Sequence, residues 1–381
     1  MREEWHTTTL GEVAILEYGK GLRDGDRDGF GWPVYGSAGV VGRHSIPLVD
    51  RGPVIIIGRK GTAGSVHWSD TPCWPIDTTY FVRPLVNLEP RYLFLALENA
   101  SLQNLCAQTG VPGLSRERAY QVDILLPTLN EQRRIVDLMS TVDEAIDAAS
   151  KVVEVARRAR KALLSDLLPD ERARTEQWRS ARLGEIAKVV HGGTPKTSNP
   201  AYWNGDIPWV RPIDITAATS NRITDTPKHI SAEGLARSSA SLLPSGSIIV
   251  STRGTIGLIA LNERPMATNQ SCEGLIVDNT SLSDYVALWL GAHRNDLRSR
   301  ASGTTIAGLA PTALRDVPIL IPELDEQRHV VGIINAVDNE IDAAEAVAKH
   351  TRALRSALLS DLLSGKHEIP VSYDEVLELA A

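Results

Sequence analysis

Two stretches of the chain carry apolar or small residues in alternating steps of three and four. In the first, Met139, Val142, Ile146, Ala149, Val153, Ala156, Leu163 and Leu167 fall into line, interrupted only by Arg160. In the second, Ile334, Val337, Ile341, Ala344, Ala348, Thr351, Leu358 and Leu362 do the same, interrupted by Arg355. This is heptad spacing, the pattern of a coiled-coil seam, and it predicts two long helices. Pro127 and Pro322 stand ahead of them, and Pro169 and Gly365 behind, where helix punctuation belongs. A helix from Glu131 to Leu167 would be roughly 55 Å long at 1.5 Å per residue.

The two stretches are copies of one another. Leu129-Asn130-Glu131-Gln132-Arg133 returns as Leu324-Asp325-Glu326-Gln327-Arg328, and Ala162-Leu163-Leu164-Ser165-Asp166-Leu167-Leu168 as Ala357-Leu358-Leu359-Ser360-Asp361-Leu362-Leu363. The offset is 195 residues throughout, without a gap, and about half the positions are identical. A period of that length is far too long for a solenoid. A lone helix of this kind cannot bury its stripe, and a second copy gives it a partner. The pair reads either as a hairpin that holds a domain together or as a rigid spacer between two bodies. The length favours the spacer.

The regions between, 1–128 and 171–322, have a different texture: short β-branched runs, Gly and Pro, and few helical periods. Val54-Ile55-Ile56-Ile57 and Ile248-Ile249-Val250 read as buried strands. Each leads into a Gly-rich turn, Lys60-Gly61-Thr62-Ala63-Gly64 or Arg253-Gly254-Thr255-Ile256-Gly257. Each region opens on a Trp followed by Leu10-Gly11-Glu12-Val13-Ala14 or Leu183-Gly184-Glu185-Ile186-Ala187. Helical stretches around Tyr92–Leu105 and Tyr285–Leu297 read as packing helices. The expected fold is therefore α+β. Two globular β-rich lobes, 1–128 and 171–322, are separated by helices over 129–170 and 323–365 that pair antiparallel as a coiled-coil spacer. The repeat is pseudo-two-fold, and an acidic tail, 366–381, follows.

Composition changes this picture little. The apolar fraction of 43% and charged fraction of 23% are ordinary for a soluble globular protein. No run is long and apolar enough to span a bilayer, and Met1-Arg2-Glu3-Glu4-Trp5-His6 has no apolar run behind it, so no signal peptide is expected. Cys73, Cys106 and Cys272 are far apart and odd in number, which argues against a zinc site or disulfide framework and fits a cytoplasmic protein. The net charge of −7 is uneven: −2 over 1–128, −1 over 129–170, +3 over 171–322 and −7 over 323–381. The acidic excess sits at the C-terminal end, which leaves the cations of the lobes free to cluster.

The order lobe, helix, lobe, helix resembles the specificity subunits of Type I restriction-modification systems over nearly the whole chain. Gly193-Thr194-Pro195 followed by Tyr202-Trp203-Asn204-Gly205-Asp206-Ile207-Pro208-Trp209-Val210 is similar to a stretch of that family's target-recognition domains. So are Pro33-Val34-Tyr35-Gly36-Ser37 and Gly58-Arg59-Lys60-Gly61-Thr62-Ala63-Gly64-Ser65-Val66. Gly113-Leu114 and Gly308-Leu309, each leading to a Pro and then Glu-Gln-Arg, complete the likeness. The resemblance implies that the lobes are target-recognition domains, each gripping half of a split sequence in double-stranded DNA. It implies that the helices measure distance and dock two methyltransferase subunits, and that a restriction/translocase subunit joins for cleavage. This chain would then do no chemistry and hold no cofactor or metal. S-adenosylmethionine, ATP and magnesium would belong to the partner subunits.

Catalytic readings fare poorly. Asn199-Pro200-Ala201-Tyr202 is similar to the Asn-Pro-Pro-Tyr motif of amino-methyltransferases, but Ala replaces the second Pro. Gly36-Ser37-Ala38-Gly39-Val40-Val41-Gly42 lacks the GxGxxG spacing, and no GxxxxGK[ST] or HExxH occurs. Loop cations, amides and hydroxyls suit phosphates and base edges. On that ground the candidate DNA contacts are Lys20, Arg23, Tyr35, Ser37, Arg43, Arg59 and Lys60 in the first lobe. In the second they are Lys196, Thr197, Ser198, Asn199, Tyr202, Arg211 and Arg253. Arg59 and Arg253 stand out, because arginine to guanine is the commonest specific contact. Glu131, Gln132 and Arg133, with Glu326, Gln327 and Arg328, are candidates for subunit binding, or else they lock each helix base onto a lobe. The competing reading is a structural adaptor whose lobes bind proteins.

Overall fold

The computed structural model describes residues 5–106, 113–169, 178–218, 221–278, 281–302 and 307–375. They divide into two units, Met1–Ser150 with Ala346–Ala381, and Lys151–Glu345. Both divisions fall inside a long helix, at positions related by the 195-residue offset.

In the first unit, His6–Thr9 pairs antiparallel with Asp123–Leu126, which brings the two ends of the lobe together. A four-stranded antiparallel sheet runs in the order Ala14–Tyr18, Thr79–Pro84, Val54–Gly58, Val66–Ser69. A smaller sheet holds Gly39–His44, Trp32–Gly36 and Trp74–Pro75. Val54–Gly58 is buried at every position because both its faces are covered. Ile55 and Ile57 join the main core, while Val54 and Ile56 pack with Tyr35 and Cys73 in a second cluster. A strand covered on both faces needs no polar alternation, which is why it reads as an unbroken apolar run.

The second unit repeats this frame. Arg179–Arg182 pairs with Pro318–Ile321, as its counterpart does. The main sheet runs Ala187–His191, Cys272–Val277, Ile248–Ser251, Ile259–Asn262, with Arg222–Ile223 added at the edge. Ile248 and Val250 face the main core, and Ile249 faces another cluster with Val210 and Ile215. The differences lie in the segment after Trp203–Val210, which supplies two short helices, Pro212–Ala217 and Ala232–Ala236, and short strands with no counterpart in the first lobe.

The packing helices are shorter than the sequence suggests. The first runs Pro90–Asn99, breaks at Ser101, whose φ is 50°, and resumes as one 3-10 turn over Leu102–Leu105. The second runs Ser283–Ala292 and breaks at His293 before Arg294–Ser299. Each break lets the chain dock on the Gly-rich turn of its own lobe. Gly64, at φ +82°, lies against the backbone of Gln103, and Gly257, at φ +77°, against the Arg294 side chain. A β-carbon at either glycine would stand 2.4 Å and 2.8 Å from those atoms. Both glycines therefore serve conformation and close approach at once. The tyrosines that open these helices act alike: Tyr92 donates to the Leu125 carbonyl at 2.5 Å, and Tyr285 to the Leu320 carbonyl at 2.7 Å.

The long helices span Leu129–Leu167 and Leu324–Leu363. All sixteen residues of the predicted seam are buried or half-buried, whereas the nearby off-seam Val152, Val155, Val347 and Leu354 are exposed. Each lobe core takes the start of one helix and the end of the other. Ile135 and Met139 meet Leu359, Leu362 and Leu363 in the first unit. Leu168 and Val330 share the core of the second. The arginines that interrupt the seam are both paired. In the second unit Arg160 is bidentate to Asp338, and in the first Arg355 is bidentate to Asp143. The repeat relates the two pairs to each other, 143 to 338 and 160 to 355.

The segment after Gly365 turns back onto the first helix. Arg134, buried, is bidentate to Asp374 at 2.6 Å, and Tyr373 donates to Asp137 at 2.7 Å. Val376-Leu377-Glu378-Leu379 lies outside the described residues.

Candidate nucleic-acid interface

In the first lobe the Gly-rich turn folds against the tip of the Trp32–His44 hairpin. The Ser37 carbonyl accepts from the Ser65 hydroxyl and lies 3.0 Å from His67 Nε2. Gly58 and Gly61 sit where a β-carbon would press on Ser37, so the turn approaches the hairpin through glycines. Arg59 donates through Nε and Nη2 to the Asp77 carbonyl at 3.1 and 2.6 Å. Lys20 is tied to the same stretch. Its amide donates to the Pro75 carbonyl, and its own carbonyl accepts from Trp74 Nε1 at 2.7 Å. Lys20 and Arg59 are therefore both tied to the segment Trp74–Asp77, the Lys60 amide donates to the neighbouring Thr78 carbonyl, and Ser37 joins them through the Gly-rich turn.

The other first-lobe candidates lie apart. Arg23 is exposed and precedes a 3-10 turn, Asp24–Asp26. Arg43 is exposed on the hairpin and donates to the Gly31 carbonyl at 2.7 Å. Tyr35 points the other way. It is buried with Val54 and Ile56, and its hydroxyl donates to the Trp68 carbonyl at 3.0 Å. The strand ends at Gly36 and Ser37 lies in the turn beyond it, so the two residues serve different surroundings. Tyr35 is a core residue, not a surface contact.

A feature the sequence reading missed adjoins the cluster. Tyr18 is half exposed, with the guanidinium of Arg59 5.4 Å and that of Arg116 5.1 Å from its ring centre. An exposed aromatic flanked by two guanidiniums suits a base or a sugar-phosphate edge. Tyr18 could have been noticed beside Gly19-Lys20. Arg116 carried no local signal, since nearly a hundred residues separate it from Tyr18.

In the second lobe Lys196, Thr197, Ser198, Asn199 and Tyr202 form one turn. The Asn199 side chain caps it by accepting from the Ala201 amide at 3.2 Å, and Trp203 Nε1 donates to the Lys196 carbonyl at 3.3 Å. Lys196, Thr197 and Ser198 are exposed, and Tyr202 is half-buried with its carbonyl accepting from the Ser231 amide. Arg253 is exposed in the Gly-rich turn, which is braced by an antiparallel bridge to Gly308. Lys60 makes the same bridge to Gly113 in the first lobe. Arg211 behaves differently. Its amide, Nε and Nη2 all donate to the Asp214 carboxylate in the first turn of the helix Pro212–Ala217, so the guanidinium is held against that helix in place of reaching outward.

The sequence reading also passed over a pair beside Arg253. Glu273 is buried, and its Oε1 lies 2.6 Å from Nδ1 of the half-exposed His191. Burial pushes the Glu273 carboxyl upward, against the opposing pull of His191, Arg253 and Arg315.

The Glu-Gln-Arg triplets act on the lobes. Gln132 is buried, accepting from the Glu89 amide at 2.8 Å and donating to the Pro127 carbonyl at 2.8 Å. Gln327 does the same with the Leu282 amide at 2.9 Å and the Pro322 carbonyl at 2.9 Å. Glu131 accepts from Trp5 Nε1 at 2.8 Å, and Glu326 from Trp178 Nε1 at 3.2 Å. The two glutamines, with their amides engaged inside the lobe, are helix locks and do not present themselves to a partner. Arg133 and Arg328 are exposed, and Arg328 pairs with Asp325 at 2.7 Å.

Residues 2–154 and 175–349 match the family described as Type I restriction modification DNA specificity domain. The chain is 27% identical over 169 residues to the Type I restriction enzyme MjaIX specificity subunit of Methanocaldococcus jannaschii, which covers 44% of this chain and 39% of that one. It is 29% identical over 169 residues to the EcoR124I/EcoR124II specificity subunit of Escherichia coli, covering 42% and 41%. The chain thus spans about two fifths of the length of these curated relatives. Its fold is similar to the crystal structure of the Type I restriction-modification system S subunit from M. genitalium. The TM-score there is 0.62, at 17% identity, over 96% of this chain and 97% of the other.

Proposed function

Because this chain belongs to the Type I restriction modification DNA specificity family, we propose that it is the non-catalytic, sequence-reading subunit of an adenine methyltransferase complex. Each lobe, 1–128 and 171–322, reads one half of a bipartite site in double-stranded DNA. The long helices pair as an antiparallel coiled-coil spacer and hold two methyltransferase subunits, with a restriction/translocase subunit joining where the system carries one. S-adenosylmethionine, ATP and magnesium reside on those partners, and the complex works in the cytoplasm.

One observation carries this reading. The two lobes share sheets, helix locks and Gly-rich turns, yet differ in the loops that present cations. In the first lobe Arg59 flanks Tyr18, with Lys20 and Lys60 on the adjoining segments, while in the second Arg253 and the Lys196–Tyr202 turn present the cations. A shared frame with different loops is what two readers of two different half-sites need. Modules on one face of a duplex should sit roughly 34–36 Å apart, or at a multiple of that. Helices of 39 and 40 residues, about 58–60 Å at 1.5 Å per residue, are long enough to set such a distance.

Methylome sequencing of strains with and without the gene tests the proposal. Loss of one bipartite methyladenine motif on deletion is the expected result. An unchanged methylome in a strain that expresses the system would defeat it.

A further inference from the structure

Where the repeat brings equivalent positions together, the two units balance their charges differently: on the packing helix Asp284 stands where the first unit has Arg91, and Gly291 where it has Glu98. In the first unit Arg355 holds two: Nε and Nη2 engage Asp143, while Nη1 and Nη2 both donate to Glu98 at 3.1 Å. Glu98 lies in the packing helix Pro90–Asn99, six residues after Tyr92. In the second unit Arg160 engages Asp338 in the same way. The matching helix carries Tyr285, and six residues on, in place of Glu98, stands Gly291. A cavity of about 260 Å³ opens there, lined by Arg160, Gly291 and Asp338 together with Arg222, Asp284 and Arg294. Three guanidiniums face two carboxylates. Asp338 is engaged by Arg160 and Asp284 by Arg222, and among the described residues Arg294 hydrogen-bonds only to the Ile256 carbonyl. In the first unit the corresponding group is balanced, Arg355 and Arg91 against Asp143 and Glu98.

We infer that this cavity is a binding site for a carboxylate on a short aliphatic stem, taking in trans the place that Glu98 fills in cis. Leu164 and Ile259 line the same space and would contact the stem. An unbalanced guanidinium in a half-enclosed cleft gains most from a charge-assisted, bidentate partner. The carboxylate can come from a free organic acid or from a Glu or Asp side chain of a docked protein. The site goes beyond sequence reading, since it involves none of the loops proposed to contact DNA.

Gly291 provides the test. A β-carbon there would meet nothing within 4 Å, so Gly291→Glu can put a carboxylate back at this position, and Gly291→Ala controls for the gain in helix propensity. Calorimetric titration of the full chain with sodium glutarate, at ionic strength fixed with chloride, should show saturable binding to wild type and Gly291→Ala. Gly291→Glu should weaken it at least about tenfold, because the tethered carboxylate competes at high effective concentration. That result identifies a free acid as a sufficient ligand. If glutarate does not bind, but Gly291→Glu and not Gly291→Ala weakens association with the methyltransferase subunit by a similar factor, the ligand is an acidic side chain of that subunit. Glutarate binding that Gly291→Glu leaves unchanged, or no glutarate binding together with unaltered subunit affinity, would overturn the inference. The glutarate arm uses neither DNA nor partner, so its outcome is separate from that of the proposed function.

Discussion

Gln132 and Gln327 each join a long helix to the lobe before it through one buried amide that both donates and accepts. Replacing either by Leu leaves a backbone amide and a carbonyl without partners in the interior. A loss of about 1–3 kcal/mol is expected, and urea unfolding should show it in the lobe that carries the change. Arg253 is the opposite kind of residue, exposed on a braced turn. Under the proposed function, Arg253→Ala should cost about 1–3 kcal/mol of discrimination at one base pair. Duplex binding at fixed salt, scanned over single-base variants of the half-site, would show it, and an unchanged profile would remove Arg253 from the reading face. The sequence made the Glu-Gln-Arg triplets conspicuous but could not orient them. Whether a glutamine faces inward depends on a free amide and a free carbonyl elsewhere, here Glu89 with Pro127 and Leu282 with Pro322. Tyr35 failed for a related reason, since its motif placed it beside a loop while packing against the distant Val54, Ile56 and Cys73 draws it into the core.

Among the elements, the long helices were the most legible, because heptad spacing and an ungapped repeat are local properties. Arg160 and Arg355 looked like flaws in the seam. They are ion pairs that the repeat itself prescribes. The packing helices were less legible, because what stops them is contact with a distant glycine turn. The tail shows how such contacts set pH behaviour. Arg134 hydrogen-bonds Asp374 and holds its carboxyl below the usual carboxylate range. A depressed folded value means the contact contributes fully above the unfolded value, near 3.9, and fades only as pH falls through the lower folded one. The tail should therefore stay docked through neutral pH and come loose in acid. Asp374→Asn should loosen it at pH 7, seen as faster proteolysis near Pro370–Tyr373 with the rest of the chain intact.

For the molecule as a whole, the sequence disclosed the plan and concealed the candidate reading surface. The alternation of lobes and helices follows from periodicity and repetition, whereas the grouping of Tyr18, Arg59 and Arg116 arises only when distant segments meet. The proposed ruler makes a quantitative forecast. Inserting one heptad into each long helix keeps the seam in register and adds about 10 Å at 1.5 Å per residue, or about three base pairs at 3.4 Å each. The methylated motif should keep both half-sites and gain about that many unspecified bases between them. A motif of unchanged spacing would refute the ruler.

The sharing of each lobe's core between the start of one helix and the end of the other has a consequence for synthesis on the ribosome. The core of the second lobe is complete once Val331 has emerged, but that of the first lacks Leu359, Leu362 and Leu363 until the last helix is made. At about 5–20 residues per second, the first lobe to be translated is the last to close, a few seconds behind the second. A chain ending at Glu345 should therefore yield a protease-resistant second lobe joined to a digestible first one, although the strands of both lobes are all present.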